Sequence, residues 1–123
     1  ARTSHALRVI ETHHAPTYYL PAGDVLAVLR PASCSSFCEW KGTARYADVI
    51  AGETVAPRAA WIYDHPSPRF AALAGYVAFY AALMDTVQVG DQHATPQPGG
   101  FYGGWVTPNL SGQIKGAPGT LHW

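Results

Sequence analysis

The sequence predicts a small, mainly β (α+β) domain with one short helix and a long irregular C-terminal tail. Three observations predict it. Ten prolines and twelve glycines are spread over 123 residues, which interrupts the chain too often for long helices. Between them lie short runs of β-branched and aromatic residues, the types that fit a pleated surface. Hydrophobic residues make up 48% of the chain and charged residues 13%, which is enough apolar material for one domain with its own core.

The elements follow in order. Ala6 to Glu11 alternates loosely and reads as a first strand. Thr12-His13-His14-Ala15-Pro16 is a turn, with Pro16 holding Ala15 extended. Thr17 to Leu20 reads as a second strand. Pro21-Ala22-Gly23-Asp24 is turn chemistry. After it, Val25 to Leu29 fits either a short helical turn capped by Asp24 or a strand. Arg30 to Phe37, with Pro31 and several small residues, reads as a polar loop. Thr43 to Ile50 is a strand, Ala51-Gly52-Glu53-Thr54 a turn whose glycine supplies a positive φ, and Pro57 a break after Val55-Ala56. Ala59 to Tyr63 is a strand. Ser67 and Pro68 open a short helix over residues 69–74, which Gly75 ends. Tyr76 to Tyr80 and Thr86 to Val89 are strands.

From Asp91 onward prolines, glycines and aromatics dominate. The expected organisation is therefore a core over residues 1–90 and a tail over residues 91–123. Phe101, Tyr102, Trp105 and Trp123 carry too much apolar area to be left in water. The tail is expected to pack on the core or on a partner subunit, which makes a homo-oligomer an open expectation.

Charge and length exclude several classes. Eight basic and eight acidic residues give a formal net charge of zero, and the basic ones stand singly, with no stripe of the kind nucleic-acid binding uses. No apolar run reaches the roughly 18 residues of a membrane span. Two cysteines, Cys34 and Cys38, are too few for a disulfide scaffold. With no signal-peptide pattern at the start, a cytoplasmic setting is expected.

The residues that can carry chemistry concentrate in Cys38 to Tyr46. A thiol beside a cation is a potential nucleophile, and Lys41 lies three residues from Cys38. Glu11, at the end of the first strand, is a candidate general base or partner of Lys41. Cys38, Lys41 and Glu11 are thus the candidate catalytic residues, with a buried inert thiol, a solvated lysine and a solvent-facing strand end as the plainer alternative. Tyr46, Trp61, Tyr63 and His14 are the candidate ligand-binding residues. Trp61 and Tyr63 point to one face because strand side chains alternate, and aromatic walls with a few polar groups are the usual form of a small-molecule site. Core packing is the plainer reading of the same aromatics. Cys34, Cys38, His13 and His14 have the ligand types for zinc but lack the paired spacing, so no metal site is assigned. Phosphate-cradle, dinucleotide and hydrolase motifs are absent, and no cofactor is assigned.

These residues resemble a known family. Ala6 to Glu11, Tyr18-Tyr19-Leu20-Pro21, Cys38 to Tyr46, Ala60 to Tyr63 with Pro66, Gly75 to Tyr80, Phe101 to Thr107 and the Lys115-to-Thr120 segment together look like the bacterial and fungal domains of unknown function 427. The resemblance covers nearly the whole chain. It implies a β-tent-like fold of small antiparallel sheets, a further strand before Ala1, and a concave site lined by Glu11, Cys38, Lys41, Tyr46, Trp61 and Tyr63. Cys34 departs from the family pattern, where a polar residue without a thiol is usual. A nucleotidyltransferase label sometimes accompanies such domains, but the paired carboxylates that hold magnesium in that chemistry are missing here. The expected function is binding of a small polar or anionic molecule in an aromatic-walled pocket. The alternatives are an enzyme using Cys38, Lys41 and Glu11, and an assembly module acting through the aromatic tail.

Overall fold

Most of the segments between the turn residues are strands. The computed structural model describes residues 2–10, 14–38, 41–98 and 103–108. Along them run ten strands: β1 (Leu7–Val9), β2 (Thr17–Tyr19), β3 (Val28–Cys38), β4 (Gly42–Ala51), β5 (Thr54–Ile62), β6 (Val77–Phe79), β7 (Gln88–Val89), β8 (Gln92–His93), β9 (Thr95–Pro96) and β10 (Trp105–Val106). Three 3-10 turns join them, at Ala22–Asp24, Pro68–Leu73 and Ala81–Leu83. The fold is mainly β, and β1 pairs with β2. Among the described residues no helix is long and apolar enough to cross a membrane. The chain divides into two compact units, one of Ala1–Leu7 and Tyr19–Phe79, the other of Arg8–Tyr18 and Tyr80–Trp123.

The first unit is built on a four-stranded antiparallel sheet in the order β3-β4-β5-β6. A two-residue turn, Gly52-Glu53, joins β4 to β5, with Ala51 opposite Thr54. Gly52 has φ +61° and Glu53 is not left-handed, the pattern of a type II′ hairpin whose twist suits its strands. Residues 59–63 and Val77–Phe79 are buried without alternation, so this end of the sheet is covered on both faces. Leu20 adds a bridge to β6 through reciprocal N–H to O bonds of 2.8 Å with Val77.

Both neighbours of β4 bulge against it. On β3 the register moves from Pro31 opposite Ala47 to Ser35 opposite Arg45, so residues 32–34 face Tyr46 alone. On β5 it moves from Ala56 opposite Val49 to Ala60 opposite Ala47, so residues 57–59 face Asp48 alone. Each bulge adds two residues, an even number, and the side-chain faces of the sheet are preserved across it.

Asp48 secures this arrangement. Its Oδ1 accepts the Arg58 backbone N–H at 2.9 Å, and its Oδ2 accepts from Arg30 Nε at 3.0 Å and Nη2 at 2.8 Å. Arg58 has φ +51°, a conformation that strains a residue with a side chain. The hydrogen bond from its amide holds that geometry.

Three expectations are corrected here. Residues 30–37 are not a loop but most of β3. Polar residues and Pro31 are tolerated because β3 lies at the sheet edge. The break at Pro57 is a bulge inside β5. Residues 25–29 form no helical turn. The strand reading is right from Val28 onward, and the 3-10 turn lies earlier, at Ala22–Asp24. The short helix after Ser67 is present as a 3-10 run with Pro68 in its first turn.

The second unit contains the hairpin β7-β8, turning at Gly90 with φ +61°, and the pair β9-β10. Gln97, bracketed by Pro96 and Pro98, is 2% exposed. Its Oε1 accepts the Ala15 N–H at 3.2 Å and its own N–H donates to Gly104 O at 3.0 Å. Trp105 N–H donates to Pro16 O at 2.9 Å, and the Trp105 ring stacks on Tyr18 at 5.1 Å. Gly104 has to be glycine: an added Cβ would meet Gln97 Oε1 and lie 2.5 Å from Ala15 O. Phe101, Tyr102 and residues 109–123, including Trp123, lie outside the described residues.

The Asp48 carboxyl is held below the ordinary 3.8, first by the Arg58 N–H and then by the Arg30 guanidinium. A lowered native pKa gives stability that is full above the ordinary value and is lost as pH falls through the native one. Asp48→Asn should therefore lower the urea midpoint at about pH 6, and the gap to wild type should close as pH falls below the ordinary 3.8. Unfolding curves across that range check it.

Candidate functional site

The register of β4 decides which side chains share a face. Tyr46 lies opposite Trp61, and Trp61 opposite Ala78. Directly opposed residues project to the same side. Ser36 lies opposite Ala44 on that face, and its Oγ is 2.8 Å from the Tyr46 hydroxyl. Tyr63, two residues after Trp61, continues the row. The sheet therefore collects Ser36, Tyr46, Trp61 and Tyr63 on one side. The Ser36–Tyr46 hydroxyl pair is exposed, while Trp61 and Tyr63 are buried.

Tyr19 closes over the two buried rings. Its ring meets Trp61 edge-on, with centroids 6.3 Å apart and planes at 86°, and meets Tyr63 at 6.4 Å and 49°. The first is the T-shaped arrangement that aromatic quadrupoles favour, and the second is tilted. The Trp61 Nε1–H donates to the Tyr19 hydroxyl at 3.4 Å. The Leu20–Val77 bridge fixes Tyr19 here, because it ties the residue after Tyr19 to β6.

Lys41 enters the same cluster. It is only 8% exposed, and its Nζ lies 6.0 Å from the centre of the Tyr63 ring, at the outer limit of a cation–π contact. The local chain explains its placement. Lys41 O accepts the Ser67 N–H at 2.9 Å. Gly42, with φ +108°, lets the segment at 65–67 come close: a Cβ there would be 3.3 Å from His65 O. A side chain at position 42 would push away the segment that anchors Lys41.

Of the residues singled out from sequence, Lys41, Tyr46, Trp61 and Tyr63 share this face. His14 belongs to the second unit, where its Nδ1 is 3.2 Å from Gln97 Nε2. Glu11 and His13 lie outside the described residues, as do Glu39 and Trp40. Cys38 ends β3 opposite Gly42, and its side chain is likewise outside the description. Cys34, in the β3 bulge, is a free, half-buried thiol. Among the described residues no group of three or more His, Cys, Asp or Glu side chains could hold a metal.

Sequence reasoning did not single out Tyr19, Ser36 or Gln97. Tyr19 lies in a strand of three residues, too short for alternation to show which of Tyr18 and Tyr19 is buried. Ser36 was hidden by the loop reading of β3. Gln97 carried a usable signal: a polar side chain between two prolines that offer no N–H.

The fold and this face define a class: a small mainly β domain that buries a cationic side chain against an aromatic sheet face. The chain belongs to the family described as a domain of unknown function (DUF427), whose model matches residues 1–90. No curated protein matches the chain.

Tyr19→Phe removes the acceptor of the Trp61 N–H while keeping the ring. Loss of that hydrogen bond should cost about 0.5–1.5 kcal/mol, read from urea denaturation. The folded spectrum should be retained.

Proposed function

We propose that this domain binds a small molecule carrying an anionic or carbonyl group, with that group directed at Lys41. The observation that supports the reading is the burial of the Lys41 side chain on the same face as Tyr46, Trp61 and Tyr63. An ammonium taken out of water loses solvation, and in a low-dielectric setting it attracts a counter-charge more strongly than at the surface. The aromatic rings offer flat apolar area for the body of a ligand. The exposed Ser36 and Tyr46 hydroxyls offer hydrogen bonds at the solvent side. Apolar walls with a few convergent polar groups are the general composition of small-molecule sites.

The enzyme reading places Cys38 as nucleophile and Glu11 or His14 as base. The Cys38 and Glu11 side chains lie outside the described residues, and the binding reading stands without them. In the assembly reading the aromatic tail docks on a partner. Trp105, the described aromatic of that tail, stacks on Tyr18 within the second unit.

Differential scanning fluorimetry with small carboxylates, phosphates and aldehydes tests the proposal on wild type, Lys41→Met and Tyr46→Phe. A ligand present at about 100 times its Kd should stabilise wild type by about 2.7 kcal/mol. The shift should vanish in Lys41→Met and shrink in Tyr46→Phe. An equal shift in wild type and Lys41→Met would show that binding does not use this face.

A further inference from the structure

We propose that β3 is the surface through which two copies of this chain associate, edge to edge and antiparallel, about a twofold axis at Ser33. Among the described residues β4 is the one strand paired with β3, so among them the other edge of this eleven-residue strand is unpaired, and most of its described residues are exposed. Such an edge is a template for a further strand. The large apolar side chains on it are not withdrawn: Val28 is 62% and Phe37 72% exposed. They stand near opposite ends of β3.

The occupant is a second copy because the strand complements itself. A twofold axis perpendicular to an antiparallel pair runs through one residue and its copy. The axis at Ser33 is the one that uses all of β3. It brings Phe37 opposite Leu29, Val28 opposite the Cys38 position, and Arg30 opposite Ser36. Phe37 thus meets an apolar partner at both symmetric sites. Arg30, the one charged residue of β3, meets a serine rather than its own copy, so no like charges are opposed.

Pro31 and the bulge at residues 32–34 also fit this geometry. They would blunt the edge against general pairing. They lie near the axis, however, and leave two clean flanks, residues 28–30 and 36–38. Each flank pairs with the other flank of the second copy. Because opposed residues keep their face, both copies present the Lys41 face on the same side of the joined sheet. The second copy's Arg30 then comes beside Ser36, which bonds Tyr46. This last consequence rests on the binding reading above, whereas the association itself does not.

Sedimentation equilibrium on the full chain, without ligand, tests the association. Wild type is expected at twice the monomer mass. Phe37→Lys and Val28→Lys place a charge at an exposed position and should keep the circular dichroism of wild type. Each should weaken self-association at least about tenfold. Val55→Lys, on β5 and away from this edge, should leave the dimer intact. A monomeric wild type would overturn the proposal. So would a dimer indifferent to Phe37→Lys and Val28→Lys, or one that Val55→Lys disrupts equally.

Discussion

The register of β4 is the constraint on which the first unit depends. Both of its neighbours carry extra residues, and without a fixed point either could slip. A slip of one residue would turn every side chain of the sliding strand to the other face. Asp48 supplies the fixed point, since one carboxylate binds the Arg30 guanidinium from β3 and the Arg58 amide from the bulge of β5. The pair with Arg30 alone would add little, because that guanidinium is largely solvated. The bond to a main-chain N–H in a left-handed residue is different, since it sets backbone geometry. It keeps Tyr46 opposite Trp61, and the rest of the aromatic face follows.

Where β-branched or aromatic runs stood between strong turn residues, the sequence was easily read. Residues 43–50, 59–63 and 76–80 lie in or beside β4, β5 and β6, and the Gly52 turn stands where its chemistry demands. β3 was misread because its residues answer to an edge position. Ser33, Cys34, Ser35 and Ser36 need bury nothing, so no hydrophobic period marks them. The break at Pro57 was half legible. A proline does interrupt the ladder there, but the interruption is a bulge closed by Asp48, a residue nine positions earlier on another strand. The mainly β class needed none of these details.

The candidate site divides along the same line. Trp61 and Tyr63 follow from period-two alternation, whereas Lys41 stood out as the cation near Cys38 and not for the contact with Tyr63 that the structure gives it. Tyr19 comes from a distant strand, docked by the Leu20–Val77 bridge, and no local pattern announces a bridge of that separation. His14 was grouped with the site by residue type. The structure gives it a partner in the second unit, where Gln97 ties the 14–15 segment to Gly104. Membership of the DUF427 family agrees with the segments before residue 90 that drew the resemblance and does not assign a reaction.

What gives the face its chemical character is a charge kept out of water. Lys41 as a residue is 8% exposed, and burying its ammonium is costly unless its surroundings compensate; the Tyr63 ring is one of the groups beside it. The central claim is that Lys41 and the aromatic row act as one preorganised unit. A double-mutant cycle of Lys41→Met and Tyr63→Leu, followed by urea denaturation, tests it most directly. A coupling energy of about 0.5–2 kcal/mol is predicted. Single-mutant effects that add to within about 0.3 kcal/mol would contradict it and leave Lys41 and Tyr63 as independent neighbours.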